Sequence, residues 1–439
     1  MIASIIIAYI ILLQPLASPP VRDYHCKDCN VILVSLDTLR ADHVGCYGYE
    51  RDTTPFMDEF AEDSILYEQA ISSSSWTRPA HASIFTGLDP SEHGILLYPR
   101  SGRIENDSVT LAGVLRDNGY STASFNGGGF MNPSNGFDVG FDVYESYGRN
   151  FKNNIKASKE WIRDKRGERF FLFLHGFDIH RPYNLFKYNR FINYSGDYDV
   201  LKSCRPWDNF PSDDDELDYL VSQYDAGIYY VDLMMRDFME FLDEEGLMNN
   251  TVVILTSDHG EEFFEHGSCD HVDTLYDELI HVPLMLRIPG YGGARVGGLV
   301  PASTSIMPTI LDIVNASSPL GFNGSLLRFV NGRPAGAVHV LSETAYRPNP
   351  MHKTRQSWKS LRTSSHKLIY VEGVNFTRYE LYDLIADPGE QEDISLTDKG
   401  SFSRLNDLMR EHGFSVPEPE DTDLDDETVS QLRYLGYVL

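Results

Sequence analysis

Basic residues are scarce in this chain of 439 residues, which contains 37 Lys and Arg against 65 Asp and Glu. The formal net charge of −28 argues against a nucleic acid or an anionic membrane surface as a partner. Hydrophobic residues (42%) and charged residues (23%) occur in the proportions of folded domains, which excludes bulk disorder and a multispanning membrane protein. The composition is that of an acidic globular protein, with roughly two to three domains suggested by its length.

Long apolar runs are also few. Residues 1–13 are almost wholly apolar and lead into a Pro-rich stretch, as in a secretory signal, whereas a membrane-spanning helix needs about 20 apolar residues. The first basic residue, Arg22, follows this segment, so the usual positive leader is missing. We predict that residues 1–20 are a signal peptide or short membrane anchor of a secreted or extracytoplasmic protein. The prolines weaken the alternative, a buried first strand.

Cysteine, with five residues, is too rare for a disulfide-rich scaffold. Cys26 and Cys29 form a C-x-x-C pattern directly after the predicted signal, where the oxidising environment outside the cell favours a small disulfide. The pattern alone is weak evidence for zinc.

Apolar runs and helical patterns alternate along the chain. Three runs are continuously apolar and end in Asp or His, as is typical of buried parallel strands, and they lie at residues 30–37, 170–180 and 251–260. Helical periodicity is present at residues 154–165 and 214–245. The alternation predicts an α/β fold with a central, mostly parallel sheet flanked by helices.

The sequence changes in character after Pro319, where shorter alternating segments predict a small antiparallel sheet. We therefore predict a catalytic domain over residues 30–318 and a C-terminal subdomain over residues 319–400. Residues 401–439 are predicted to form an acidic linker and a terminal amphipathic helix.

Asp and His residues cluster at the predicted carboxyl ends of the strands, where ligands bind in such sheets. They are Asp37, His175, Asp178, His180, Asp258 and His259. Carboxylate and imidazole side chains are common metal ligands, so the cluster predicts a metal site. For His175 we expect packing within the sheet.

A hydroxyl residue opens the segment TRPAHASIFTG, residues 77–87. Pro79 is expected at the first helical position, which places Thr77 and nearby backbone N–H groups at a helix amino terminus, where anions bind. A hydroxyl becomes a good nucleophile only when a metal or a base stabilises its alkoxide. The alternative is that Thr77 is an ordinary helix cap.

Six longer segments are distinctive in their order and separation: NVILVSLDTLRADHVGCYGY, WTRPAHASIFTGLDPSEHG, FLHGFDIHRPY, TSDHGEEFFEHG, LYDELIHVPLMLRIPG and ELYDLIADPGEQEDI. They resemble the sulfatase family of the alkaline phosphatase superfamily, and the closing LRYLGYV is similar to the end of many sulfatase-like proteins. The resemblance implies an alkaline-phosphatase-like sandwich that hydrolyses anionic esters.

The resemblance also implies roles for individual residues. Asp37 and Asp258 match metal-binding aspartates, and His259 stands where the family often has a metal-binding Asn. His180 matches a histidine that contacts the anionic ester. His271 falls where a Lys often contacts sulfate.

Other positions depart from the family pattern. Thr77 occupies the position that sulfatases convert from Cys or Ser to formylglycine, and Thr cannot give that aldehyde. His81 replaces the arginine of the same motif, Thr38 replaces the second aspartate of the opening pair, and Asn126-Gly127 stands where Gly-Lys is frequent. Thr is the nucleophile in related phosphodiesterases and transferases. We therefore expect a Thr nucleophile and no formylglycine.

These residues predict a metal-dependent hydrolase of sulfuric or phosphoric esters, acting on a small molecule, a glycan or a lipid. The predicted ligands of one divalent cation are Asp37, Thr77, Asp258 and His259, and Thr77 is also the predicted nucleophile. The imidazole ligand favours Zn²⁺ or Mn²⁺, although Ca²⁺ is compatible with the oxygen ligands.

Neighbouring residues are predicted to handle the substrate. His180 and His271 are candidates for protonating the leaving oxygen. His81, Arg181 and Asn126 are candidate substrate contacts, with loop geometry as the alternative role for Asn126.

Three alternatives stay open at this point. A second cation site could be built from Asp178, His180 and either His266 or His271, although a structural role is expected for His266. The chain could instead transfer a phosphoethanolamine-type or phosphoglycerol-type group to an extracellular glycan or lipid. It could also be a catalytically silent glycan-binding protein.

Overall fold

The computed structural model describes residues 24–98, 102–192, 211, 213–318, 324–330, 339–346 and 355–412. The predicted export segment, residues 1–20, and the predicted acidic linker and terminal helix after residue 412 lie outside this part of the chain. Among the helices it describes, none combines the length and the apolar character that crossing a bilayer requires. Cys26 and Cys29 form the disulfide that the sequence predicts.

A mixed sheet of nine strands forms the centre of the fold. Its strands are β1 (Asn30–Leu36), β2 (Ile65–Ile71), β4 (Ser121–Asn126), β5 (Val143–Ser146), β6 (Phe170–Gly176), β7 (Thr251–Thr256), β10 (His281–Val282), β11 (Leu284–Arg287) and β12 (Ala294–Pro301). Their order is β10-β2-β11-β7-β1-β6-β4-β5, and β12 pairs with β2. The run from β7 to β5 is parallel, which confirms the predicted sheet, while β11 and β10 make the other edge antiparallel.

The central strand β1 is buried along its whole length because both faces of the sheet are covered. Val31 and Leu33 pack into one apolar core, whereas Ile32 and Val34 pack into the core on the opposite face. This explains why the strand is continuously apolar rather than alternating. Complete burial of each such side chain contributes about 1.5–3 kcal/mol.

Helices cover both faces of the sheet. They are α1 (Pro55–Glu62), α2 (Thr77–Thr86), α3 (Pro90–His93), α4 (Leu111–Asp117), α5 (Phe151–Asp164), α6 (Asp214–Glu244), α7 (Asp277–Ile280), α8 (Ala302–Ile313), α9 (Leu327–Val330) and α10 (Lys399–Glu411). Both helices predicted from periodicity are confirmed as α5 and α6. Helix α5 begins before the predicted residue 154, because the side chain of Asn150 accepts a hydrogen bond from the Asn153 N–H and caps it.

A second, smaller sheet confirms the predicted antiparallel element. It contains β13 (Val340–Tyr346), β14 (Gln356–Arg362), β15 (His366–Gly373) and β16 (Thr377–Asp383), with β3 (Leu97–Tyr98) parallel to its edge. Two further strands, β8 (Glu262–Phe263) and β9 (Cys269–Asp270), form a short hairpin in the main part of the fold.

Helix α10 packs on the small sheet through Phe402, Leu405 and Met409, which lie on one face of the helix and are buried with Leu368 and Leu381. The predicted boundary at residue 400 falls inside this helix. The small sheet therefore packs together with the whole of α10, while the division of the chain into domains stays a prediction.

A buried ionic cluster joins the small sheet to the main part of the fold; we call Asp277, Arg362, Lys367 and Glu390 the Asp277 cluster. Asp277 in α7 contacts Arg362 of β14 (Oδ2 to Nη2, 2.8 Å) and the fully buried Lys367 of β15 (Oδ1 to Nζ, 3.0 Å). Lys367 also pairs with Glu390 at 2.8 Å. Burial opposes ionisation, but the two cations hold the pKa of Asp277 well below its ordinary value.

Candidate active site

Three neighbouring parallel strands deliver polar side chains to one edge of the central sheet. Asp37 follows β1, His175 lies near the end of β6, and Asp258 and His259 follow β7. Ser35 of β1 is in register with His175 on one side and with Thr256 on the other. The strand pairing thus brings the predicted metal ligands together, as expected from the topology.

Thr77 is the first residue of α2, and its side chain faces these strand ends. Its Oγ1 lies 3.5 Å from Asp37 Oδ2 and 3.4 Å from His259 Nε2. Trp76 holds the cap position, so the alternative of Thr77 as the helix cap is wrong. Pro79 is the third helical residue rather than the first, because the helix begins at Thr77 itself.

We call Asp37, Thr77, Asp258 and His259 the strand-end site. Asp37, Asp258 and His259 are fully buried, and one ligand atom from each lies within 4.8 Å of the others. Asp37 Oδ1 and Asp258 Oδ2 make no hydrogen bond. Burial raises the pKa of Asp37 to about 6, with His259 and His271 acting in the opposite direction.

The chemistry of these donors fits a divalent cation. His259 Nδ1 contacts the Gly260 carbonyl at 2.9 Å, so Nδ1 carries the proton and the Nε2 lone pair faces Asp37 and Asp258. Asp258 Oδ1 accepts the backbone N–H groups of Thr38 (3.3 Å) and His259 (3.0 Å), which leaves Oδ2 for a ligand. Buried carboxylate oxygens without donors require a cation or a proton.

His81 follows Thr77 by one turn of α2 and is fully buried. Its Nδ1 contacts the Thr77 carbonyl and its Nε2 contacts Ser35 Oγ, both at 2.9 Å. Both ring nitrogens are thus engaged within the protein, and the substrate contact of His81 stays a prediction.

Asn126 is also engaged within the protein. Its amide nitrogen donates to Ser124 Oγ (2.9 Å), and its Oδ1 accepts from the Gly128 N–H (2.8 Å) and from Ser146 Oγ (2.7 Å). These contacts are consistent with the loop-geometry alternative for Asn126, while its substrate contact stays a prediction. A Cβ on the neighbouring Gly127 would lie 2.7 Å from Phe177, which explains the glycine.

His271 and His180 lie beside the strand-end site. The ring of His271 lies 4.5 Å from that of His259 and 4.9 Å from that of His180. His271 Nδ1 contacts Glu261 (2.8 Å) and Asp270 (3.0 Å). Burial disfavours the charged ring, but these carboxylates raise the pKa of His271 well above its ordinary value.

His180 has the opposite character. Burial, with His271 nearby, lowers the pKa of His180 well below its ordinary value, and its Nδ1 contacts the Arg181 carbonyl at 2.7 Å. The surroundings thus favour the protonated form of His271 and the neutral form of His180. Arg181, the third predicted residue here, pairs with Asp270 at 2.5 Å.

The residues proposed for a second cation come together only in part: the rings of His180 and His271 are 4.9 Å apart, but among the described residues Asp178 joins no candidate ligand group with them. The carboxylate of Asp178 accepts the Phe151 N–H at 2.8 Å, and His266 contacts Glu278 at 2.7 Å while stacking on Tyr276. His266 thus has the structural role expected for it. A different group, Glu261, Asp270 and His271, lies close enough to resemble a ligand set.

Sequence reasoning missed two further residues at the site. His175 was expected to pack in the sheet, but its Nε2 lies 3.2 Å from Asp37 Oδ2. Arg149 donates to the carbonyl groups of His180, Arg181 and Pro182 and so fixes this segment. Arg149 precedes α5 in a stretch with no recognisable motif, whereas His175 was placed at a strand end by the sequence but was expected only to pack there.

The sequence matches the family described as Sulfatase over residues 29–316, and the family described as N-sulphoglucosamine sulphohydrolase, C-terminal, over residues 264–412. The chain belongs to the sulfatase family. It is a sulfatase-family ester hydrolase with the α/β architecture of that family.

Individual relatives agree with this assignment. The chain is 25% identical to an endo-4-O-sulfatase of Bacteroides thetaiotaomicron, across 89% of this chain and 92% of the relative. A structure solved in complex with its substrate, D-glucosamine-2-N,6-O-disulfate, has a TM-score of 0.73 at 19% identity, covering 90% of this chain and 100% of the other. The phosphonate monoester hydrolase of Agrobacterium radiobacter has a TM-score of 0.71 at 19% identity, covering 88% and 95%.

Proposed function

We propose that this sulfatase-family chain hydrolyses an anionic sulfuric or phosphoric ester by a metal-dependent mechanism in which Thr77 is the nucleophile. The observation that carries the proposal is the position of Thr77 Oγ1, 3.4 Å from His259 Nε2 and 3.5 Å from Asp37 Oδ2, at the amino terminus of α2. A hydroxyl in this position is surrounded by the groups that activate such nucleophiles.

Asp37, Asp258, His259 and Thr77 would hold the divalent cation. When bound, the cation supplies Lewis acidity, which favours the alkoxide form of a hydroxyl and offsets negative charge on the transferred group. The imidazole in this set favours Zn²⁺ or Mn²⁺ over Ca²⁺. No formylglycine takes part, because the residue at that position is Thr.

The chain's own residues account for the remaining steps. The Thr77 hydroxyl first loses its proton to solvent. Its Oγ1 then forms a bond to sulfur or phosphorus as the bond to the leaving oxygen breaks, and His271, beside Glu261 and Asp270, gives its proton to that oxygen. Water then displaces Thr77 from sulfur or phosphorus. His180 removes the water proton and passes it to His271, whose ring lies 4.9 Å from its own, so that both histidines return to their starting forms. The N-terminal N–H groups of α2 and Arg181 favour binding of the anionic group.

One similar structure contains a sulfated substrate and another is a phosphonate monoester hydrolase, which supports an anionic ester as the substrate of this chain. The first experiment therefore determines which class of ester is hydrolysed. The test compares sulfate monoesters, phosphate monoesters, phosphonate monoesters and phosphodiesters with Zn²⁺, Mn²⁺ or Ca²⁺. Thr77→Val, which keeps the shape of Thr and removes the hydroxyl, is expected to lose activity by on the order of 10⁴-fold or more. Turnover that survives in this variant would show that Thr77 is not the nucleophile.

The same assay distinguishes the alternative functions. Release of product without an added acceptor supports hydrolysis, whereas product formed only with a glycan or lipid acceptor would identify a transferase. Binding of sulfated sugars without turnover of any ester would identify a silent binding protein.

We also propose that the chain is secreted or extracytoplasmic and that residues 1–20 direct its export or anchor it to a membrane. The disulfide between Cys26 and Cys29 supports this proposal, because such bonds persist in oxidising compartments. Fractionation of cells that produce the full chain tests it, and recovery of the protein with reduced thiols from the cytosol would contradict it.

A further inference from the structure

Beneath the strand-end site lies a second layer of buried polar groups, formed by His81 and His175. The two rings are perpendicular, with centroids 5.0 Å apart, and the exposed fractions of the two residues are 0% and 1%. One potential ligand atom from each of His81, His175 and Asp258 lies within 4.8 Å of the other two, as in a metal-binding group. Two roles are therefore possible for this layer, a second cation site or a support for the first.

The hydrogen-bond partners of His175 decide its tautomer. The backbone N–H of Gly127 donates to His175 Nδ1 at 3.2 Å, so Nδ1 carries a lone pair and the ring proton is on Nε2. Nε2 has no hydrogen-bond partner, and it lies 3.2 Å from Asp37 Oδ2. The nitrogen that faces the carboxylates is an N–H group, which cannot coordinate a cation.

His81 is excluded as a ligand by the same reasoning. Its Nδ1 is directed at the carbonyl of Thr77 and must be protonated there, while its Nε2 is occupied by Ser35 Oγ. The Nδ1 that lies 3.4 Å from Asp258 Oδ2 is thus also an N–H group. Neither histidine offers a lone pair to the space between the carboxylates.

We infer that His175 is a positioning residue, whose Nε2–H faces Asp37 Oδ2 and holds that carboxylate in the orientation required to bind the divalent cation. The inference rests on the proposed metal-dependent function. It also assigns one cation to the strand-end site rather than two. Groups that orient a metal ligand in this way typically affect metal affinity by about 10- to 100-fold.

Three substitutions at one position test this role. The amide nitrogen of Gln reaches the position of His Nε2, whereas that of Asn reaches only the position of Nδ1. His175→Gln is therefore expected to bind Mn²⁺ as the wild-type chain does, while His175→Asn and His175→Phe should bind it about 10- to 100-fold more weakly. Equilibrium dialysis of the full chain against Mn²⁺, followed by metal analysis, gives both the affinity and the number of ions per chain.

The expected result is one ion per chain in every variant, with affinity restored by Gln alone. Far-UV circular dichroism and urea unfolding identify variants that fail to fold, and the comparison of Gln with Asn stands even if Phe is not tolerated. Equal affinity in all variants, or two ions in the wild-type chain and one in the variants, would overturn the inference. If the wild-type chain bound no Mn²⁺ or Zn²⁺, the proposed metal-dependent function would itself fail, which is a separate result.

Discussion

Two clusters of buried carboxylates in this molecule differ in how their charge is balanced. In the Asp277 cluster, Asp277 contacts two cations of the chain itself, Arg362 and Lys367. In the strand-end site, no Lys or Arg among the described residues lies within ion-pair distance of Asp37 or Asp258. The basic side chains at that distance are all histidines.

The difference is visible in the pKa values. Arg362 and Lys367 outweigh burial and hold the pKa of Asp277 well below its ordinary value, whereas burial raises the pKa of Asp37 to about 6. Buried carboxylates with internal cations serve structure, and those with free oxygens beside a hydroxyl are suited to binding a cation for chemistry. Substitutions or ligands that affect one cluster and not the other test this contrast.

Asp37→Asn should remove the catalytic character of the strand-end site. We expect kcat/KM to fall on the order of 10³-fold, equivalent to about 4 kcal/mol of transition-state stabilisation, because a metal-binding charge is lost next to the nucleophile. Steady-state kinetics on the best substrate of the ester panel measures the change. A loss smaller than about tenfold would contradict a role for Asp37 in catalysis.

Asp277→Asn should affect stability instead of chemistry. Removing one partner of a buried ionic group leaves Lys367 and Arg362 insufficiently compensated, so the free energy of unfolding should fall by about 3–5 kcal/mol. Urea unfolding measures this quantity. Arg295→Gln, which breaks an exposed pair with Glu68, is the matched control and should cost about 0–1 kcal/mol. Similar losses in the two variants would contradict the structural role of the Asp277 cluster.

An added divalent cation should stabilise the folded chain by binding at the strand-end site and not at the Asp277 cluster. At a concentration 100 times its Kd, Mn²⁺ or Zn²⁺ is expected to raise the free energy of unfolding by about 2.7 kcal/mol in the wild-type chain and in Asp277→Asn. A chelator should reverse the effect, and Asp37→Asn should show little of it. Stabilisation of Asp37→Asn equal to that of the wild type would place the binding site elsewhere.

His266 provides an intermediate case, because the positive charge that balances Glu278 is that of the His266 ring, which is lost when the pH rises. Burial opposes protonation, but Glu278 dominates and raises the pKa of His266 from 6.5 to about 9. The contact should therefore stabilise the fold fully below pH 6.5 and be lost as the pH rises towards 9. Because solvent screens part of the interaction, the change should be smaller than the full pKa shift implies, about 1.5 kcal/mol. The free energy of unfolding in urea, measured across this pH range in the wild type and in His266→Gln, gives the contribution of this contact. An unchanged pH dependence in the variant would show that His266 is not the group responsible.

The sequence alone predicted the parts of the fold that depend on local pattern. Continuous apolar runs identified β1, β6 and β7, and the adjacency of parallel strand ends brought Asp37, Asp258 and His259 together as expected. Thr77 lies near a helix amino terminus as expected, but α2 begins at Thr77 itself and not at Pro79.

Side-chain partners supplied by distant segments could not be predicted in this way. Asn126 is engaged by Ser146, and His81 by Ser35, and the sequence gives no sign of either contact. The charge on His271 depends on Glu261 and Asp270, whose positions follow from the β8–β9 hairpin rather than from spacing in the sequence. Loop packing, rather than residue type, decides these roles.

The most direct test of the account is mass spectrometry of the peptide that contains Thr77 after acid quenching during turnover. We predict that a sulfuryl or phosphoryl group is covalently attached to Thr77 in the wild-type chain and is absent in Thr77→Val. Continued turnover with no modification of Thr77, or with the group attached to another residue, would contradict the claim that the strand-end site activates Thr77 as the nucleophile.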